Sequence, residues 1–188
     1  MPNWCNNTLT LEHDNPTMVA RARSAFLEGA LLQQFFPCPE DLDIVAGSLG
    51  HNTPEQLELE AKEQANLAKY GYKNWYDWKI ANWGTKWDVG GSDGYVDDFE
   101  GGVTLTFDSA WSPPIGAFEK LLEAGFRVYA TYYEPGMAFA GIWDNGDDQY
   151  FEYGGMDSKE IAEHLPADLD QAYGCLLYTS PSPRDATL

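Results

Sequence analysis

The chain has 188 residues, 44% of them hydrophobic, enough for one globular core, and its 14% aromatic content is high. Thirty acidic residues against 11 basic ones leave a formal net charge of −19. That charge repels a phosphate polymer, so DNA and RNA are excluded as partners, while a basic protein surface would be attracted. No apolar run is long enough to span a bilayer, and MPNWCNN has no signal-peptide pattern, so a cytoplasmic protein is expected.

Residues 3–13 alternate as a strand should, with Trp4, Leu9 and Leu11 expected inward. Asn15-Pro16 then caps and starts a helix through Met18, Val19, Ala22, Ala25 and Phe26, ending at Gly29. ALLQQFFPCPEDLD is apolar and broken by Pro37 and Pro39, and reads as a buried connection that leaves the core. Thr53 caps a helix over residues 54–69, with Pro54 in its first turn and a weak apolar face of Leu57, Ala61, Ala65 and Ala68. Residues 44–84 together read as a helical, Trp-rich insertion lying on the surface.

YKNWYDWKIANWGTKWD, residues 72–88, carries four of the seven tryptophans. A short helix is expected here, ended by a left-handed Gly84, with Thr85, Lys86 and Trp87 opening an extended segment. Aromatic faces, the Asn82 amide and the Lys86 cation meet at this turn. The stripe reads either as core, as such stripes usually do, or as the wall of a pocket for a flat, phosphorylated ligand.

Residues 85–95 are expected to begin a strand that breaks into VGGSDGY. Residues 102–109, GVTLTFDS, form the clearest strand, with Val103, Leu105 and Phe107 on one face. Ser112 reads as the cap of a helix entered through Pro113-Pro114, with Ile115, Phe118, Leu121 and Leu122 inward. A strand over 126–133, the turn Glu134-Pro135-Gly136, a strand over 137–143 and an Asn145-Gly146 hairpin turn follow. A last helix runs from the Asp157 cap to His164.

The order gives a βαββαβ core, an α+β, ferredoxin-like antiparallel sheet with both helices on one face. The aromatic insertion and the appended C-terminal hairpin are expected to cover the other face, with a pocket between them; a C-terminal helix follows the hairpin. Residues 175–185, CLLYTSPSPRD, resemble a translated sequencing adapter, so residues 1–174 are read as the single natural domain and 175–188 as a foreign tail.

Three cysteines, three scattered histidines and no nucleophile, phosphate-loop or calcium-loop motif point to no metal, no cofactor and no enzyme. Glu134 could serve as a base, but a carboxylate before Pro-Gly is more often a turn residue.

The strings MPNWCNN, NWGTKWD, FDSAWSPP and YYEPGMAFAG, in that order over most of residues 1–155, resemble the YubB-type ferredoxin-like domain family of phages and conjugative plasmids. The family's motifs fall on Asn3, Trp4, Asn82, Trp83, Gly84, Lys86, Trp87, Trp111, Ser112, Pro113, Tyr133, Glu134, Pro135, Gly136 and Phe139. The resemblance transfers no activity. It implies an accessory protein of a mobile element, a setting in which many such proteins disarm host defence.

Two functions from different classes follow. In the first, Trp83, Trp87, Trp111 or Tyr133 stacks on a base. Lys86 and Arg127 meet phosphate, Asn82 and Ser112 orient the ligand, and Glu134 and Phe139 complete the site. The protein then sequesters a nucleotide-derived immune signal. In the second, it mimics nucleic acid and occupies a basic host defence protein. Its acids are scattered along the chain, which leans against mimicry unless folding gathers them. A homo-oligomer is expected from the free sheet edges and the aromatic surplus.

Overall fold

Strict alternation in WCNNTLTLE builds the first strand, β1 (Trp4–Glu12), which buries Cys5, Asn7, Leu9 and Leu11 on one face. The computed structural model describes residues 3–174; the expected foreign tail at 175–188 lies outside the described residues. After β1 come α1 (Pro16–Leu27), α2 (Leu31–Phe35), α3 (Pro54–Tyr70) and α4 (Trp75–Trp83). Then follow β2 (Tyr95–Phe99), β3 (Gly102–Ala110), α5 (Ile115–Glu123) and β4 (Arg127–Glu134). The chain continues through β5 (Phe139–Asp144), β6 (Asp147–Glu152), α6 (Ser158–His164) and α7 (Ala167–Tyr173).

The strands form one antiparallel sheet in the order β2-β3-β1-β4-β5-β6. Through β4 this is the split βαββαβ order with α1 and α5 as its helices, so the fold is α+β as expected. The register sets Leu9 opposite Leu105 and Ala130, and Leu11 opposite Val103 and Val128. Those residues floor the main core, which α1 and α5 cover with Phe26, Phe118 and Leu121.

Capping follows local chemistry. The Asn15 side chain accepts from Thr17 N, Thr53 from Gln56 N, and Asp157 forms a capping box with Glu160. Asn145 and Gly146 both take positive φ, as a two-residue hairpin between β5 and β6 requires.

Several expectations are corrected. The insertion lies on the same sheet face as α1 and α5: Trp78 and Trp83 of α4 join the core of Leu9 and Leu105. Residues 31–42 are buried as expected but do not leave the core: Leu31, Leu32 and Leu42 pack within it beside Phe26 and Trp83. Helix α3 buries Leu59 and Asn66, and Leu57, Ala61, Ala65 and Ala68 face outward. The Asn66 amide donates to the carbonyls of Asp41 and Lys73, and this polar anchor sets the rotation of a helix whose alanines have little transfer energy to gain.

Residues 85–90 form no strand. The pairing of β3 with its outer neighbour begins only at Tyr95 opposite Thr106. Ser112 does not cap α5; its hydroxyl donates to the Gly84 carbonyl, and Pro114 occupies the cap position. The opposite face of β4 and β5 is covered by α6 and α7, not by the hairpin, whose strand β6 extends the sheet beside β5. Ile161, Leu165 and Leu169 pack there on Tyr133 and Ala140.

Candidate functional site

Three tryptophans meet at one end of the sheet, around a lysine. Gly84 ends α4 with φ 88°, which swings the chain away from the core immediately after Trp83. Thr85 then pins the segment to the end of β3: its buried hydroxyl donates to Ala110 O at 3.2 Å and accepts from Ala110 N at 3.1 Å. Lys86 and Trp87 follow at once and are carried to the surface beside the start of β1.

Trp111 arrives from the other side. It adopts φ 69°, a left-handed conformation that costs an L-residue roughly 1–2 kcal/mol. The strain is held by Trp111 N donating to Asn3 O at 2.9 Å, and by a chain of hydrogen bonds beneath. Asn7 donates to Ser109 Oγ at 2.9 Å, and Ser109 donates to Ser112 O at 2.7 Å. Ser112 in turn donates to Gly84 O, tying the two approaches together.

The Lys86 ammonium lies 3.9 Å from the Trp87 ring centre and 4.2 Å from that of Trp111. Trp4 stands 5.8 Å from Trp87, tilted 36°. All three indoles stay exposed, at 42%, 43% and 41% for Trp4, Trp87 and Trp111. Among the described residues Lys86 is in no ion pair, so its charge is spread over the two rings.

Hollows open on both sides of this cluster. One of about 370 Å³ is walled by Trp4, Trp87, Gly90, Asp93, Asp108 and Ala110. Another of about 480 Å³ is walled by Asn3, Trp111, Met137, Phe139, Tyr150 and Glu152. Beneath the second sit Cys5 and Tyr132, packed with Phe139. Burial pushes the Cys5 thiol up to about 12, which leaves it protonated and inert. Burial, then the Asp148 carboxylate that accepts from the Tyr132 hydroxyl at 2.7 Å, pushes that phenol upward too.

Asp88, at the rim of the first hollow, is fully engaged. Its carboxylate accepts from Leu32 N, Gln33 N and Val89 N at 2.7–2.8 Å, fastening the loop to the start of α2. Burial raises its proton affinity and the three N–H donors oppose that.

The nine residues expected at the site are divided by the structure. Lys86, Trp87 and Trp111 come together, and Phe139 lines the neighbouring hollow. Trp83 is core: it is fully buried, and its indole N–H donates to Phe36 O at 2.8 Å. Asn82 is spent on its own helix, donating to Trp78 O at 2.8 Å. Ser112 braces Gly84. Tyr133 lies on the opposite face, stacked between Tyr153 and Tyr173 at 6.3 and 5.3 Å. Glu134 is buried and accepts from the backbone N–H of Gly136 and Met137, which makes it the brace of its own turn. Arg127, expected at the phosphate, pairs instead with Glu12 at the far end of β1.

Trp4 was expected inward and is a correction. The signal was present, since strand alternation puts position 4 on the face opposite Leu9 and Leu11. Met137 and Tyr150 carry no sequence signal for the site, because the β4–β5 turn braced by Glu134 brings the first, and the β5–β6 pairing opposite Gly141 the second, beside Trp111. No group of three or more His, Cys, Asp or Glu that could hold a metal occurs among the described residues.

No family model matches the chain, and no curated protein matches it. A crystal structure of a protein api92 from Yersinia pseudotuberculosis, family model DUF1281, is similar at 14% identity and a TM-score of 0.43, over 82% of this chain and 99% of that one. A likeness of that size carries no functional information. No helix among the described residues is long and apolar enough to cross a membrane.

Proposed function

We propose that the protein is a non-catalytic binding module that holds a small nucleotide-derived ligand at Trp4, Lys86, Trp87 and Trp111. The observation that supports this is the Lys86 ammonium seated over two indoles whose outer faces remain open to solvent. A base stacks on an exposed indole, worth about 1–3 kcal/mol, and a phosphate meets the ammonium at its edge. Asp93 and Asp108 at the rim oppose a polyanion, which favours a ligand with few phosphates over a polynucleotide. The resemblance to the YubB-type family supports reading such a module as part of a mobile element, where holding an immune signal without turnover would blunt host defence.

The test is a thermal-shift panel on the full chain with mononucleotides, cyclic dinucleotides and ADP-ribose. A ligand at about 100 times its dissociation constant adds about 2.7 kcal/mol, or roughly 5–10 °C for a chain of this size. The expected result is a shift with one class that Lys86→Ala and Trp87→Ala abolish. No shift across the panel, or a shift that survives both substitutions, overturns the reading.

A further inference from the structure

The sheet has two faces, and one is only half covered. On the side away from α1 and α5, helices α6 and α7 pack over β4 and β5, and Tyr173 of α7 reaches Thr8 of β1 with a hydrogen bond. The α7 residue Tyr173 marks the boundary, its hydroxyl on Thr131 Oγ1 and O at 2.9 and 2.8 Å. Beyond it the outward residues Thr106 and Asp108 of β3 and Tyr95, Asp97 and Phe99 of β2 are exposed, with Thr10 and Thr104 half-buried between them.

The register identifies those residues. Thr8 pairs with Thr106, Thr10 with Thr104, and Tyr95 with Thr106 on the far side, so the threonines of β1 and β3 form one surface that Tyr95, Asp97 and Phe99 of β2 extend. Tyr95 stands on it 67% exposed, and Tyr129 borders it from β4. Carboxylates ring it: Asp97 and Asp108 on the sheet, and Asp144 and Asp168 near Tyr129. The cation of the strand end, Arg127, is already paired with Glu12. Four acids far apart in the sequence thus border this face.

We propose that this face docks an arginine- and lysine-rich segment of a partner protein. The nine residues of β1 give a length of about 30 Å and three strands a width of about 14 Å, the footprint of one helix or one extended segment. Arginine suits both surfaces, since its guanidinium stacks on exposed phenol rings and pairs with carboxylates. Charge decides against the other occupants. A second copy would bring Asp97 and Asp108 against the same acids, and nucleic acid or an anionic membrane would be repelled. This inference goes beyond the small-ligand site and does not rest on it.

The experiment titrates the full chain into a fluorescein-labelled peptide of alternating Arg and Ala, about twelve residues long, and follows anisotropy. The expected result is that the triple variant Asp97→Asn, Asp108→Asn, Asp168→Asn weakens binding about tenfold. Tyr95→Ala weakens it about threefold, and Thr106→Arg abolishes it. A matched triple on α3, Glu55→Gln, Glu58→Gln, Glu60→Gln, changes it less than about twofold. Amide NMR shifts then cluster at Thr8, Thr10, Thr104 and Thr106. The proposal is overturned if the α3 triple weakens binding as much as the face triple, because net charge alone then explains the affinity. It is equally overturned if the protein dimerises in sedimentation and Tyr95→Ala abolishes the dimer, because the occupant is then a second copy. Intact binding by Trp87→Ala is expected and separates this face from the tryptophan–lysine site.

Discussion

Trp83 and Trp87 stand four residues apart and have opposite fates. Trp83 is fully buried, edge-on to Trp78 at 5.9 Å, with its N–H on Phe36 O. Trp87 is 43% exposed, with an ammonium on its face and Trp4 beside it. What separates them is Gly84, whose left-handed φ breaks the helical phase that would otherwise have laid both rings on one face. A tryptophan-rich stretch is therefore two signals joined at a glycine, one for packing and one for the surface. A buried indole needs an acceptor for its N–H, and an exposed one is free to offer a face.

The contrast is broken most directly by truncation. Trp83→Ala is expected to cost about 3–5 kcal/mol in urea unfolding, and Trp87→Ala less than about 1 kcal/mol. Equal costs would mean that Trp87 is also a structural residue and the exposed cluster is part of the core.

The second test uses pH on the buried side of the site. The unfolded Cys5 thiol ionises near 9.0, and the folded one keeps its proton up to about 12. The folded state therefore holds more protons in that window. The stability this contributes is complete below pH 9.0 and is lost as pH rises toward about 12. The advantage of the native chain over Cys5→Ala is expected to shrink by at most about 1.4 kcal/mol per pH unit there. A constant difference would show that Cys5 is solvated from the hollow above it.

A third test moves the hinge. Gly84→Ala places a Cβ 3.0 Å from Pro113 O at a φ of 88°, and is expected to cost about 1–2 kcal/mol in the same unfolding assay. The Trp fluorescence of the exposed group is expected to shift with it, since Lys86 and Trp87 hang from that turn. The smallest effect is Lys86→Met, about 0.5–1 kcal/mol in stability for a half-buried cation on two rings. Under the binding proposal it loses the ligand while Lys79→Met, whose ammonium sits 4.5 Å from buried Trp83, retains it. If both lose it, the site lies on the helical side of Gly84.

Much of the fold could be read from residues within one turn of each other. Asn15 before Pro16, Thr53 before Pro54, Asp157 three residues before Glu160 and the Asn145-Gly146 pair each act through backbone groups two or three positions away. The rotation of α3 could not be read, because Asn66 answers to carbonyls of Asp41 and Lys73 that are local neither to it nor to each other. Ser112 was misread for a related reason: a serine before Pro-Pro has the composition of a cap, but Gly84 O, 28 residues away, takes its hydroxyl.

The site divides along the same line. Lys86 and Trp87 are adjacent, and Gly84 announces the turn that exposes them, so half of the cluster is encoded within four residues. Trp4 and Trp111 join them only because Trp4 begins β1 opposite Ala110, and Thr85 binds that same Ala110. Charge behaves likewise. A net −19 is composition, but that Asp97, Asp108, Asp144 and Asp168 border one half of the sheet depends on strand register and on where α7 packs. Caps and turns are set by contacts over two to four residues, and local chemistry encodes them. The meeting of positions 4, 86 and 111 is set by strand register across the whole sheet, which exists only once the core of Leu9, Leu105 and Ala130 has closed.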